Sequence, residues 1–205
     1  MKKLKIAVLG WGSLVWCPGS LAIRSRWHND GPRLPIEFAR ISNDSRLTLV
    51  IHAGCRDQTT YWALSDFGDL DSAVDNLKQR EGCREPGDIH YLTVDGRTRG
   101  TLETIATVKQ WMHGRQDINA SIWTGLESNW KDKRKKPFTS DDALAYLEDL
   151  AQGDKTVFQR AREYVCNTPP QIQTEVRRLL KRKDGRWLDN RLPRILFAPA
   201  RGQRR

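Results

Sequence analysis

Glu81 is the residue of this chain whose type and position first point to chemistry. It closes an amphipathic segment over residues 69–80, stands immediately before Gly82, and is flanked by Arg80 and Arg84. A helix dipole disfavours a carboxylate at a C-terminal end. Partial burial there would raise its proton affinity towards the range useful for general acid–base work. A solvated helix-end glutamate paired with Arg84 fits the same pattern, so both readings stand at this stage. The second feature is the run Gly10, Trp11, Gly12, Ser13 and Leu14, which follows an apolar stretch over residues 4–9. It is not a dinucleotide fingerprint, because the third glycine would fall at Val15, and it lacks the Gly-Lys-Ser/Thr ending of a P-loop. Ser13 has neither the G-x-S-x-G setting nor an obvious base partner. What survives is a strand-end loop whose small residues expose backbone amides. Such a loop is either a nest for an anionic or carbonyl group or simply a tight turn.

Other reactive residue types form no constellation. His28, His52, His90 and His113 lack metal-ligand spacing, and Cys17, Cys55, Cys83 and Cys166 include no C-x-x-C pair. The thiols read as small hydrophobes rather than a disulfide framework.

The elements that must position Glu81 and the loop follow from periodicity. Residues 4–9 form a first strand. Residues 34–41 and 46–52 read as a hairpin turning at Asn43, Asp44 and Ser45, and residues 60–64 as a fourth strand. In residues 69–80, Leu70, Val74 and Leu77 recur at i, i+4 and i+7, with Asp69 as N-cap and Gly82 as terminator. Fifth and sixth strands are expected at 90–94 and 102–108. Beyond Pro137 the texture is helical. Thr139 caps a helix carrying Leu144, Leu147 and Leu150; a second carries Val157, Phe158, Ala161, Tyr164 and Val165; a third opens at Thr168, Pro169 and Pro170. Strands outnumber helices in the first half without alternating with them, so the class is α+β: a mixed, barrel-like sheet with flanking helices and a helical C-terminal extension. The expected division is a core over 1–138 and a basic helical extension over 139–205, packed on the core as one cooperative unit.

The order of these motifs resembles the γ-glutamylcyclotransferase-like family. Trp11-Gly12-Ser13-Leu14 is similar to its aromatic-Gly-Ser loop, and Leu77-Lys78-Gln79-Arg80-Glu81-Gly82 followed by a strand from Asp88 is similar to its helix ending in Glu-Gly. The resemblance spans residues 4–110. It implies that Glu81 is the catalytic acid–base and that Gly10, Trp11, Gly12, Ser13 and Leu14 bind substrate. The implied reaction is intramolecular aminolysis of a γ-glutamyl amide, releasing 5-oxoproline and an amine or amino acid, and it requires no metal and no organic cofactor. The family loop carries Tyr or Phe where this chain has Trp11, and often Asn where it has Leu14, which leaves the substrate's amine half open.

Charge offers a rival. The chain has 205 residues and a net charge of +10; residues 1–150 hold 21 basic and 20 acidic residues, residues 151–205 hold 14 and 5. Such asymmetry marks either a solvated basic surface with weak acidic partners or a nucleic-acid-associated region. A non-catalytic small-molecule-binding member of the same fold is the other alternative. No apolar run reaches the roughly 18–20 residues of a membrane span, and the short apolar start does not read as an export signal, so a cytoplasmic location is expected.

Overall fold

β1 (Ile6–Gly10) is buried along its whole length and sets the layers. Its side chains alternate between two faces, as a strand's must. Ile6 and Val8 join one hydrophobic cluster with Leu70, Ala73 and Leu77 of α2 (Leu70–Glu81). Ala7 and Leu9 join the other, with Leu34, Ile36 and Phe38 of β2 (Arg33–Ile41). The computed structural model describes residues 3–83, 85–115, 117–183 and 187.

Five strands form the main sheet in the order β5-β1-β8-β6-β7, with β5 (Tyr61–Leu64), β6 (Ile89–Thr93), β7 (Thr98–Arg99) and β8 (Ala120–Thr124). β1 runs antiparallel to β5 and parallel to β8. A parallel pair needs a crossover connection, and everything between β1 and β8 in the chain lies within it. A second sheet has the order β3-β2-β4, antiparallel throughout, with β3 (Leu47–Ile51) and β4 (Asp57–Thr59). Among the described residues the strands make two sheets and neither closes into a barrel; the class is α+β.

The expected hairpin turns at Ser45, which takes a left-handed φ of 66°. The β2–β3 register shifts between Phe38 and Arg40, a bulge of the kind that bends a strand and re-aims its side chains. The other edge of β2 is covered at that point by the chain around Ser128. The Ile41 amide donates to Asn129 Oδ1 at 2.9 Å, and Asn129 Nδ2 donates back to the Ile41 carbonyl at 2.8 Å.

Two expectations are corrected. Residues 102–108 are not a strand but part of α3 (Leu102–His113), capped by the Thr101 hydroxyl, which accepts from the Thr104 amide. Thr104, Val108 and Met112 form its buried stripe at four-residue intervals. The β-branched residues mimic strand propensity, but the period is helical and the stripe decides. The last helix does not open at the proline pair: α7 is Glu175–Lys183. Pro169 instead heads a turn closed by the Ile172 amide at 3.0 Å. The positions of Arg84 and of residues 188–205 lie outside the described residues.

α4 (Trp130–Arg134) precedes α5 (Ser140–Gln152) and α6 (Lys155–Asn167), which start at the caps Thr139 and Asp154. Leu144, Leu147, Tyr164, Val165, Val176 and Leu180 lie in the same cluster as Leu9 and Phe38. The polar fastening is Glu37, 1 % exposed. Its carboxylate accepts the Phe38 amide at one oxygen and the Glu175 amide at the other, both at 2.8 Å, so it caps the start of α7. Burial pushes its pKa up against these bonds. Replacing Glu37 by Leu strands both amides and should lower stability by about 1–3 kcal/mol. Calorimetry should show a single transition at lower temperature; two separate transitions would mean that the helices melt as an independent module.

Candidate active site

The first strand delivers its loop by ending at Gly10, where a β-carbon would meet the Trp27 ring at 3.0 Å. Gly10 therefore packs on Trp27 and does not line the cavity described below. The chain then passes through Trp11 and Gly12 into α1 (Ser13–Trp16), a single turn closed by the Val15 amide on the Gly12 carbonyl at 2.9 Å and the Cys17 amide on the Ser13 carbonyl at 2.8 Å. Gly12 has φ −117°, a value open to any residue, so its need for glycine is one of space. A β-carbon there would stand 2.7 Å from the Tyr164 hydroxyl.

α2 delivers the carboxylate. Asp69 caps its start by accepting the Ser72 amide at 2.8 Å. Its end is a Schellman arrangement: Gly82, at φ 65°, donates to the Gln79 carbonyl, and Cys83 donates to the Lys78 carbonyl. Glu81 is thus the last helical residue. Positions 76 and 80, four apart and so on one face, fasten the helix to the loop that follows α1. Asn76 accepts the Ala22 amide and donates to the Ser20 carbonyl. Arg80 donates to the carbonyls of Pro18 at 3.2 Å and Cys17 at 2.7 Å, and to Ser13 Oγ at 3.3 Å. Its remaining nitrogen pairs with Glu81 Oε1 at 2.8 Å. Among the described residues the partner of Glu81 is Arg80.

These elements enclose one side of a cavity of about 220 Å³. Trp11, Gly12, Ser13, Leu14, Arg80 and Glu81 line it, so the structure brings together all the sequence candidates except Gly10. The other side is the β2–β3 hairpin, with Arg40, Ser42, Arg46 and Thr48, closed by Thr124, Leu126 and Tyr164. Trp11 Nε1 donates to the Leu49 carbonyl at 3.3 Å, and the Leu49 amide donates to the Tyr164 hydroxyl at 3.4 Å. Arg40 donates to the Glu127 carbonyl at 2.6 Å, and Arg46 pairs with Asp44 at 2.8 Å.

The electrostatics follow from burial. The Glu81 side chain is 17 % exposed. Desolvation raises its pKa, and the Arg80 charge opposes this without cancelling it. The Tyr164 phenol is pushed up to about 12, first by burial and also by the Glu81 charge. Burial, with Asp88 and Glu81, takes the Cys83 thiol to about 11, which removes it as a thiolate nucleophile at neutral pH. Ser13 Oγ is a partner of Arg80 rather than of a base. No histidine lines the cavity, and among the described residues no group of three or more His, Cys, Asp or Glu could hold a metal ion. The arrangement therefore offers one proton-accepting carboxylate, three guanidinium groups and one neutral phenol.

Arg40, Arg46 and Tyr164 are the chemically active lining residues, beside Arg80, that the sequence candidates did not include. The signal for Tyr164 was a hydroxyl on a buried helical stripe, where a phenol needs a partner. Comparison of the chain with family models, with curated proteins and with solved structures gave no match in any of the three.

The raised pKa of Glu81 has a stability consequence of definite sign. Ionised Glu81 costs the folded state, so the contribution is most favourable below about pH 4.5, the ordinary glutamate value, and is lost as pH rises through the elevated native value. Glu81→Gln should melt at or above the wild-type temperature at pH 7, with the difference closing as the pH falls below 4.5. Thermal melts of both proteins across that range check this; a variant less stable at pH 7 would mean that the Arg80 pair outweighs desolvation.

Proposed function

We propose that the chain is a γ-glutamylcyclotransferase-like enzyme that cyclises the γ-glutamyl group of a small amide to 5-oxoproline and releases the amine half. The observation that carries this reading is a half-buried carboxylate of raised proton affinity, Glu81, sharing one cavity with the loop Trp11–Leu14 and a cationic wall. The reaction needs few groups. The α-amine and the γ-carbonyl belong to one molecule, so holding that molecule folded supplies much of the rate. Glu81 takes a proton from the α-ammonium. The freed amine forms a bond to the γ-carbon, Glu81 returns its proton to the leaving nitrogen as the amide C–N bond breaks, and the second proton of the new ring nitrogen passes through Glu81 to the released amine, which departs as an ammonium. Atoms and charge balance with no oxidant and no co-substrate. The loop backbone and Arg80 face the glutamyl head, whose carboxylate is complementary to both.

The charge of the cavity bears on the amine half. Arg40 and Arg46 are contributed by the hairpin and not by the elements that carry Glu81. A leaving group with a carboxylate is complementary to them, whereas a cationic amine meets like charge. The described cations of the C-terminal region are largely held within the molecule: Arg177 donates to the carbonyls of Pro169 and Ile172, Arg178 and Arg182 pair with Glu175, and Lys183 pairs with Glu148. Among the described residues no feature favours a nucleic-acid reading over the cavity. No helix among the described residues is long and apolar enough to cross a membrane.

A panel of γ-glutamyl amino acids, glutathione and γ-glutamyl amines, assayed for 5-oxoproline, tests the proposal. Wild-type protein should turn over at least one member, with kcat/KM about tenfold or more higher for amide partners bearing a carboxylate than for cationic ones. Glu81→Gln should lose about 10²–10⁴-fold of that activity while remaining folded. Full activity in Glu81→Gln would remove the residue's role.

A further inference from the structure

Tyr164 enters the cavity from α6, a helix outside the segment that carries the loop and Glu81. Its ring is held on three sides. Trp16 meets it edge-on with centroids 5.2 Å apart, Phe38 does so at 6.3 Å, and the Arg46 guanidinium stands 5.7 Å from its centroid. A phenol clamped in this way has one place for its oxygen, and that place is on the loop. The hydroxyl occupies the space that a side chain at position 12 would need, 2.7 Å from where its β-carbon would be. There it accepts the Leu49 amide. A hydroxyl that accepts from one side still carries a proton to donate, and no described residue takes that proton. The cavity wall is the direction left for it.

We infer that the Tyr164 hydroxyl donates a hydrogen bond to the carbonyl oxygen of the scissile amide and strengthens it as that oxygen gains negative charge. This assignment rests on the cyclotransferase reading of the same cavity. Three features fit the role. The donor is preorganised by its packing, so it needs no reorientation when charge develops. It lies on the loop backbone, the element that the reading places against the glutamyl head. It also stays protonated: burial and the Glu81 charge keep the phenol at about 12, so it remains a donor at any pH at which Glu81 serves as a base. Tyr164 transfers no proton in this step; the proton traffic belongs to Glu81. A further consequence is that the C-terminal helices complete the site, and glycine at position 12 is required because the phenol must touch the backbone.

The experiment uses the full chain and the γ-glutamyl substrate that the wild type turns over best. Tyr164→Phe keeps the ring contacts and removes only the hydroxyl. Its kcat should fall about 10²–10³-fold, the loss typical of one oxyanion donor, with KM within about threefold, because the bond strengthens only in the transition state. A second variant guards against a purely structural effect. 3,5-Difluorotyrosine introduced at position 164 keeps the shape and lowers the phenol's proton affinity. The alkaline limb of its kcat profile should move to lower pH. A role confined to holding Leu49 would leave that limb in place, and that result would overturn the assignment. Tyr164→Phe with unchanged kcat would also overturn it while leaving the cyclotransferase reading intact. Wild-type protein that releases no 5-oxoproline from any member of the panel would overturn both.

Discussion

The site depends on the four interactions of one side chain, Arg80. Its guanidinium joins the carbonyls of Cys17 and Pro18, the Ser13 hydroxyl and the Glu81 carboxylate. Planarity makes this possible, since a fork of fixed donors can serve several acceptors without losing much freedom per bond. The consequence is a fixed relation between the end of α2 and the loop after β1, two segments almost seventy residues apart. Arg80 also sets the electrostatic balance. It offsets part of the desolvation of Glu81 and leaves the carboxylate protonating more readily than an exposed one. A fully neutralising partner would hold Glu81 ionised and inert; no partner at all would make its burial costly. The cation therefore positions the carboxylate and moderates its pKa at once.

The second constraint is the contact between helices and hairpin that closes the cavity. The bulge between Phe38 and Arg40 bends β2. The neighbouring Leu49 backbone is taken up by side chains from two other parts of the chain, Trp11 at its carbonyl and Tyr164 at its amide. The hairpin wall, the loop and α6 therefore meet at one residue. Glu37 secures the same helical layer from the other end by capping α7. The C-terminal helices are thus tied to the site by packing and by directed polar bonds.

Much of this was legible in the sequence, for local reasons. α2 was readable from an Asp cap, a stripe at i, i+4 and i+7, and a terminal glycine, and those signals place Glu81. The loop was readable because glycines and a serine follow an apolar run. α5 was readable from Thr139 and its leucines. The failures are equally physical. α3 carries Thr, Ile and Val, whose strand propensity masked a helical period. β8 is short, and what makes Ala120, Ser121 and Ile122 a strand is their parallel pairing with Ile6, Ala7 and Val8, a contact with no local signature. The site residues contributed by the hairpin and by α6 were invisible as such. Nothing local in the sequence marks Arg40 or Arg46, and Tyr164 is one of the apolar-stripe residues of its helix; only tertiary packing brings them into one cavity with Glu81.

The proposed chemistry stands or falls with Glu81 as a half-buried, proton-accepting carboxylate facing the cavity. A ¹³C NMR titration of the protein labelled at glutamate carboxyl carbons, with Glu81→Gln used to assign the signal, reads that proton directly with and without 5-oxoproline. The Glu81 signal should titrate above the exposed glutamates and shift when 5-oxoproline is added. A Glu81 signal that titrates with the exposed glutamates and ignores the added 5-oxoproline would contradict that chemistry.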